Sequence, residues 1–282
     1  MIYWAQFLLK ELTSMGMNNC RVTLTPLAGK KEHQAGYSLQ GIKYLVGNTD
    51  VNLQLPFTRR EFVTEQPKKQ KGMSISGYQP KLSLRIVSNQ FKVVETFGTY
   101  ILKPSPEEYP HLAENEHAIM SVMRNLNFEV PPFGLVPFQQ APDSNKLEYA
   151  FIIKRYDRNE EDQSKVHQEQ LDGAMRINEK YGKVNNIQTI SYEKVCQFLI
   201  ENIDASLSFK RELFKRIMYA YLLGNNDLHL RNFGIVMPNV EKNKIAPIYD
   251  FISTAPYLHT FSDCFMALPL LKTEEIFFWF FS

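Results

Sequence analysis

GNNDLHLRNFGI, residues 224–235, is a dense polar loop set between residues of helical period and a short apolar run. Its core is Asp227, His229 and Asn232, which puts a carboxylate and an amide five residues apart on one loop. A carboxylate that can accept a proton, beside an amide oxygen that can ligate Mg²⁺, suits phosphoryl transfer. That reaction needs an oriented nucleophile and neutralised phosphate charge, and asks little covalent work of the protein. Asn and Asp also favour turns, and taken alone the same residues would serve in an Asx-rich turn that caps a helix.

Working outward, IYDFIS at 248–253 places Asp250 after an apolar run, about twenty residues downstream. It is a candidate second oxygen ligand for the metal, although a lone Asp after a strand also serves as a turn residue. Upstream, KGMSISGYQPKLSL at 71–84 brackets a small-residue loop with Gly72 and Gly77 and runs into a strand carrying Lys81. Such a loop can approach phosphates with its backbone N–H groups, or can be a plain linker. It is neither a Walker A loop nor the GxGxxG of ordinary kinases. A strand ending in Lys103 follows, then a helix bearing Glu114 and Glu116. Glycine loop, strand lysine, acidic helix, Asp–Asn loop and late Asp, in that order, form the layout of a protein kinase. Lys103 would hold the α- and β-phosphates, and an acidic helix residue would hold Lys103.

The 282 residues fit one large domain or two lobes. With 32 basic and 30 acidic side chains the net charge is +2, so nucleic-acid binding has no gross electrostatic basis. Cys20, Cys196 and Cys264 are odd in number and scattered, which fits neither a disulfide framework nor a metal knuckle and points to a cytoplasmic home. MIYWAQFLL is too short for a span and lacks a cleavage signature, so no signal peptide is expected. EEIFFWFFS at the other end is an aromatic burst too short to cross a bilayer.

The first half reads as strands and turns: RVTLT (21–25), LSLRI (82–86), FKVVE (91–95), TYILK (99–103) and LEYAFIIKRYD (147–157), with one helix over 113–126. The second half reads as helices over 166–180, 191–202 and 209–223, then short apolar runs at 233–237 and 246–249. The expected fold is α+β and two-lobed, kinase-like, with a β-rich N-lobe over 17–155 and a helical C-lobe over 156–282.

KGMSISGYQPKLSL, YILKPSP, ENEHAIM, IIKRYDR, VHQEQLDGAM, LLGNNDLHLRNFGI and APIYDFIS together resemble the HipA-type serine/threonine kinases, toxins of bacterial toxin–antitoxin operons. The likeness runs from about Asn18 to about Leu271 and is strongest to the short HipT branch. It implies ATP and Mg²⁺ as cofactors, with Lys103 on the nucleotide phosphates and Glu116 supporting it. Lys154 and Tyr156 fall at hinge positions that meet adenine through their backbones, and Asp157 at the polar position near the ribose. Asp227 matches the catalytic base, and Asn232 and Asp250 match the metal ligands. Ser74 and Ser76 match positions of autophosphorylation, residues 166–175 match the activation-loop region, and His229 reads as a structural hydrogen bonder. Implied partners are a helix-turn-helix HipB-like antitoxin, through which DNA is met indirectly, and a small HipS-like protein. The implied substrate is an aminoacyl-tRNA synthetase, the short branch pointing to the tryptophanyl enzyme.

The chain departs from the family pattern at both ends. Members begin near Met17, so residues 1–16 read as an extension. Members also continue past the Asp250 region into further helices, so the C-lobe here reads as cut short. The alternative from another class is an inactive kinase-like module that binds antitoxin or nucleotide without turnover. A small-molecule phosphotransferase would share the same site.

Overall fold

The computed structural model describes residues 18–64, 80–142, 147–159, 162, 164–238, 242–257 and 266–271. The 1–16 extension, the glycine-rich loop through 79 with Ser74 and Ser76, and the aromatic terminus lie outside those residues. The chain divides into two units, Met1–Ser164 and Lys165–Ser282.

The first unit is built on a five-stranded antiparallel sheet: β1 (Leu82–Val87), β2 (Gln90–Val93), β3 (Tyr100–Pro104), β4 (Phe133–Pro137) and β5 (Tyr149–Lys154). Its spatial order is β2-β1-β3-β5-β4. Ser88 and Asn89 join β1 to β2, both at positive φ, which is the two-residue turn whose twist matches an antiparallel ribbon. Gly98 enters β3 where a Cβ would lie 1.7 Å from the Ser83 hydroxyl, so a side chain there would have to displace that hydroxyl. Among the described residues three short helices precede the sheet: α1 (Lys30–Ala35), α2 (Leu39–Val46) and α3 (Arg59–Thr64). Ser38 caps α2 by accepting from Gly41 N at 3.0 Å, and Gly47 closes it at φ 78. Leu45, Leu55 and Phe62 from this segment share one core with Leu82, Leu84 and Leu102 of the sheet. α4 (Leu112–Asn125) packs on β3, β4 and β5, its first turn capped from outside by the Ser105 hydroxyl, 2.9 Å from Ala113 N.

RVTLT is a turn rather than a strand. Leu24 N returns to Cys20 O at 2.9 Å, and Leu24 sits at φ 60. The apolar alternation is satisfied on one side only: Val22 is buried and Leu24 is exposed.

In the second unit, β6 (His167–Gln170) pairs with β9 (Gly234–Met237), which pairs in turn with β10 (Lys244–Ile245). Residues 166–180 are therefore not one helix; only the single turn α5 (Leu171–Ala174) forms, because the preceding backbone is taken by β9 and Arg176 and Asn178 turn left-handed. The apolar run 246–249 continues from β10, and Ala246 N still donates to Gly234 O of β9 at 2.7 Å. A small hairpin, β7 (Lys183–Val184) and β8 (Ile187–Gln188), turns through Asn185 and Asn186, both at positive φ. α6 (Tyr192–Asn202) and α7 (Leu207–Leu222) start at Ser191 and Ser206, whose hydroxyls accept from Lys194 N and Phe209 N, both at 3.3 Å. Among the described residues no helix is long and apolar enough to cross a membrane.

Candidate functional site

In the first unit β3 delivers Lys103 and α4 delivers Glu116. Lys103 Nζ donates to Glu116 Oε1 at 2.7 Å, with the side chains only 3% and 1% exposed. Cross-strand pairing sets Lys103 opposite Phe151 of β5, whose ring centroid lies 5.6 Å from the ammonium. A lone charge so deep would be costly, and the pairing is what lets the lysine stay there.

At the end of β5, Lys154 N donates to Pro132 O at 2.7 Å and Arg155 N to Thr99 O at 2.8 Å. The Lys154 amide hydrogen is thereby committed within the sheet. Asp157 is held by Arg155, through Nε at 2.8 Å and Nη2 at 2.6 Å, and by Arg158 Nη1 at 2.9 Å. Burial pushes this carboxyl upward, but the two guanidinium groups outweigh it and keep the group below the ordinary carboxylate range.

The second unit contains the Asp227 loop, and its backbone is pinned residue by residue. Asp227 N donates to Asn225 Oδ1 at 3.0 Å, and Asp227 O accepts from His229 N at 2.8 Å and from Asn232 Nδ2 at 2.7 Å. The last bond orients the Asn232 amide: its nitrogen is spent on the loop, so Oδ1 is the atom that could take a metal ion. Asn225 is fully buried, whereas the Asp227 side chain is 29% exposed, so the carboxylate can be reached from solvent.

Both flanks of Asp250 are tied to that loop. Tyr249 Oη donates to Arg231 O at 2.9 Å. On the other side, Thr254 N and Oγ1 donate to Gly224 O at 2.8 and 2.9 Å, and Thr254 Oγ1 accepts from Asn226 N at 3.0 Å. Gly224 lies at φ 66 with Ala255 close enough that a Cβ would sit 2.8 Å from the alanine methyl. Asp250 itself is at φ 51, an uncommon conformation that Asp tolerates better than most residues.

Residues 166–175 reach the same loop. Gln170 Nε2 donates to Arg231 O at 3.0 Å, and Arg231 Nε donates to Asp172 Oδ2 at 2.7 Å. From α6, Tyr192 Oη donates to Leu228 O at 2.8 Å. Thr254, Tyr249, Asp172 and Tyr192 are the supports that sequence reasoning missed. Tyr192 and Thr254 stand outside the quoted motifs and Tyr249 and Asp172 stand inside them, but a hydroxyl or carboxylate whose partner is 18 to 59 residues away leaves no local pattern.

Burial lowers the His229 imidazole, Lys180 acts in the same sense, and the Asp227 and Asp250 carboxylates oppose both. Among the described residues no group of three or more His, Cys, Asp or Glu could hold a metal ion. The donor set that is present, one amide oxygen and one carboxylate, fits Mg²⁺, which takes one or two protein oxygens and completes its shell with phosphate and water.

Residues 73–278 match the family described as HipA-like C-terminal domain. A Haemophilus influenzae protein named "Putative kinase" is 54% identical over 261 residues, covering 92% of this chain and 75% of its own. A Sinorhizobium fredii protein named "Putative kinase Y4dM" is 29% identical over 170 residues, which is 58% of this chain and 39% of the relative. Among solved structures, the Shewanella oneidensis MR-1 toxin–antitoxin complex of HipA, HipB and operator DNA aligns with a TM-score of 0.52 at 23% identity. The alignment covers 64% of this chain and 44% of that one. At that identity the likeness is one of fold, and it agrees with the expected α+β kinase-like class.

Proposed function

This chain belongs to the HipA-like C-terminal domain family, and from that premise we propose that it is an ATP- and Mg²⁺-dependent serine/threonine protein kinase of the short HipT branch, acting as a toxin. The observation that carries the proposal is the Asp227 loop, whose backbone is bonded on both sides while its carboxylate stays solvent-accessible. Asp227 accepts the proton of the acceptor hydroxyl as that oxygen bonds the γ-phosphorus; the bond from phosphorus to ADP breaks in the same displacement. Asn232 Oδ1 and Asp250 would hold Mg²⁺, which supplies positive charge against the phosphates.

Lys103 neutralises the α- and β-phosphates while Glu116 fixes its ammonium. The backbones of Lys154 and Tyr156 take the adenine, with Lys154 offering its carbonyl because its N–H is engaged. Asp157 lies toward the ribose, and its two arginines keep it anionic. Ser74 and Ser76 are the autophosphorylation sites. Each phosphate adds about −1.5 to −2 charge to a loop that covers nucleotide phosphates, and so switches the enzyme off. A Ser74→Asp/Ser76→Asp chain that bound ATP as tightly as the parent would sink that switch.

The protein substrate is an aminoacyl-tRNA synthetase, tryptophanyl by the short-branch likeness, and the partners are a HipB-like antitoxin and a HipS-like protein. Incubation with labelled ATP, Mg²⁺ and a bacterial lysate tests the whole proposal. Label on one synthetase supports it. ATP binding without transfer supports a binding module instead, and label on a metabolite supports a small-molecule phosphotransferase.

A further inference from the structure

We infer that His229 is a positioning residue for Asp227, its Nε2–H holding Oδ1 so that Oδ2 is turned to the acceptor hydroxyl. The inference rests on the assignment of Asp227 as the base. His229 Nε2 lies 3.6 Å from Asp227 Oδ1, while Nδ1 is buried with no hydrogen-bond partner. A neutral imidazole carries one N–H and one bare nitrogen. Placed on Nδ1, the hydrogen would be a buried donor without an acceptor; placed on Nε2, it faces a carboxylate. The second tautomer is the cheaper one.

The ring is buried and packed: it meets the Tyr181 ring edge to face at a centroid distance of 5.7 Å, and its backbone is held by His229 N donating to Asp227 O at 2.8 Å and His229 O accepting from Asn232 N at 2.9 Å. Next to it, Leu230 N donates to Lys180 O at 2.9 Å, which ties the loop to the segment that carries Tyr181. The 3.6 Å separation is longer than a hydrogen bond. Closing it to about 3 Å asks only for a small rotation of the Asp227 carboxylate, the more exposed partner. Catalytic hydrogen bonds commonly tighten in this way when substrate binds.

Two measurements on the full chain test the assignment. Imidazole ¹⁵N NMR of the chain without substrate should show His229 as the Nε2–H tautomer, with the Nδ1–H form appearing in Asp227→Ala. A dominant Nδ1–H tautomer in the parent chain overturns the inference whether or not the chain turns over. In phosphoryl transfer, His229→Leu should lower kcat by about 10²-fold and leave KM for ATP in place. His229→Gln, which keeps a donor near the Nε2 position, should recover most of that loss. Equal damage in both variants also overturns it. A parent chain that transfers no phosphate contradicts the proposed function separately, since the NMR result still decides the His229–Asp227 pairing.

Discussion

Removing either partner of the Lys103–Glu116 pair strips a buried charge of its 2.7 Å counter-ion, because both groups are almost wholly buried. Lys103→Met and Glu116→Leu should each cost about 3–5 kcal/mol in chemical denaturation, and each should also abolish nucleotide binding. The double substitution should recover much of the stability and none of the binding, which separates the fold's use of the pair from the site's. Lys103 and Glu116 were nameable from strand, lysine and acidic helix in order. The Asp157–Arg155–Arg158 cluster was not, because three charges within four residues look the same whether they are solvated or locked together.

Among elements, the Asp227 loop and the Asp250 segment are held in register on one flank by Tyr249 and on the other by Thr254, whose hydroxyl donates to Gly224 O and accepts from Asn226 N. Thr254→Val keeps the shape and removes both bonds, and should destabilise the second unit by about 1–3 kcal/mol. It should also weaken Mg²⁺-dependent nucleotide binding, measured as a rise in the Mg²⁺ needed for half-saturation. Unchanged Mg²⁺ dependence would show that Thr254 does not set the geometry of the metal ligands. Helices α4, α6 and α7 and the strands β1, β2, β3 and β5 were legible because each carries its own period and its own stop. Short α1, α2 and α3 were missed although Ser38 and Gly47 signal the ends of α2; six to eight residues hold too little period to outweigh a strand-like neighbour. Residues 166–180 misled for the opposite reason. Helical spacing is present, but the backbone of 167–170 is worth more as the partner of β9, which no local pattern announces.

For the molecule as a whole, stability should fall on the acid side, and one contributor can be named. His117 of α4 is buried against Phe133, with Nε2 3.3 Å from Val22 O, and burial lowers its pKa from 6.5 to about 4. The unfolded ring takes its proton near 6.5, whereas the folded ring resists until about 4, so between those values the unfolded state binds more protons. Stability is therefore lost as pH drops through that window, by up to about 3 kcal/mol from this group. Denaturation midpoints followed from pH 7 to 4.5 should slope downward, and His117→Gln should flatten the slope. A variant whose slope matches the parent's would remove His117 from the account. Length and charge bound the fold class at this scale and do not say which half carries the Asp227 loop, since composition is blind to order.

Asp227 as the base of a phosphoryl transfer is what every other role at this site depends on. The most direct measurement is transfer of label from γ-labelled ATP to protein in the presence of Mg²⁺, compared between the parent chain and Asp227→Ala at matched nucleotide occupancy. The account predicts that the substitution leaves nucleotide bound and lowers the transfer rate by about 10²–10⁴-fold. Transfer at the parental rate by Asp227→Ala would contradict it.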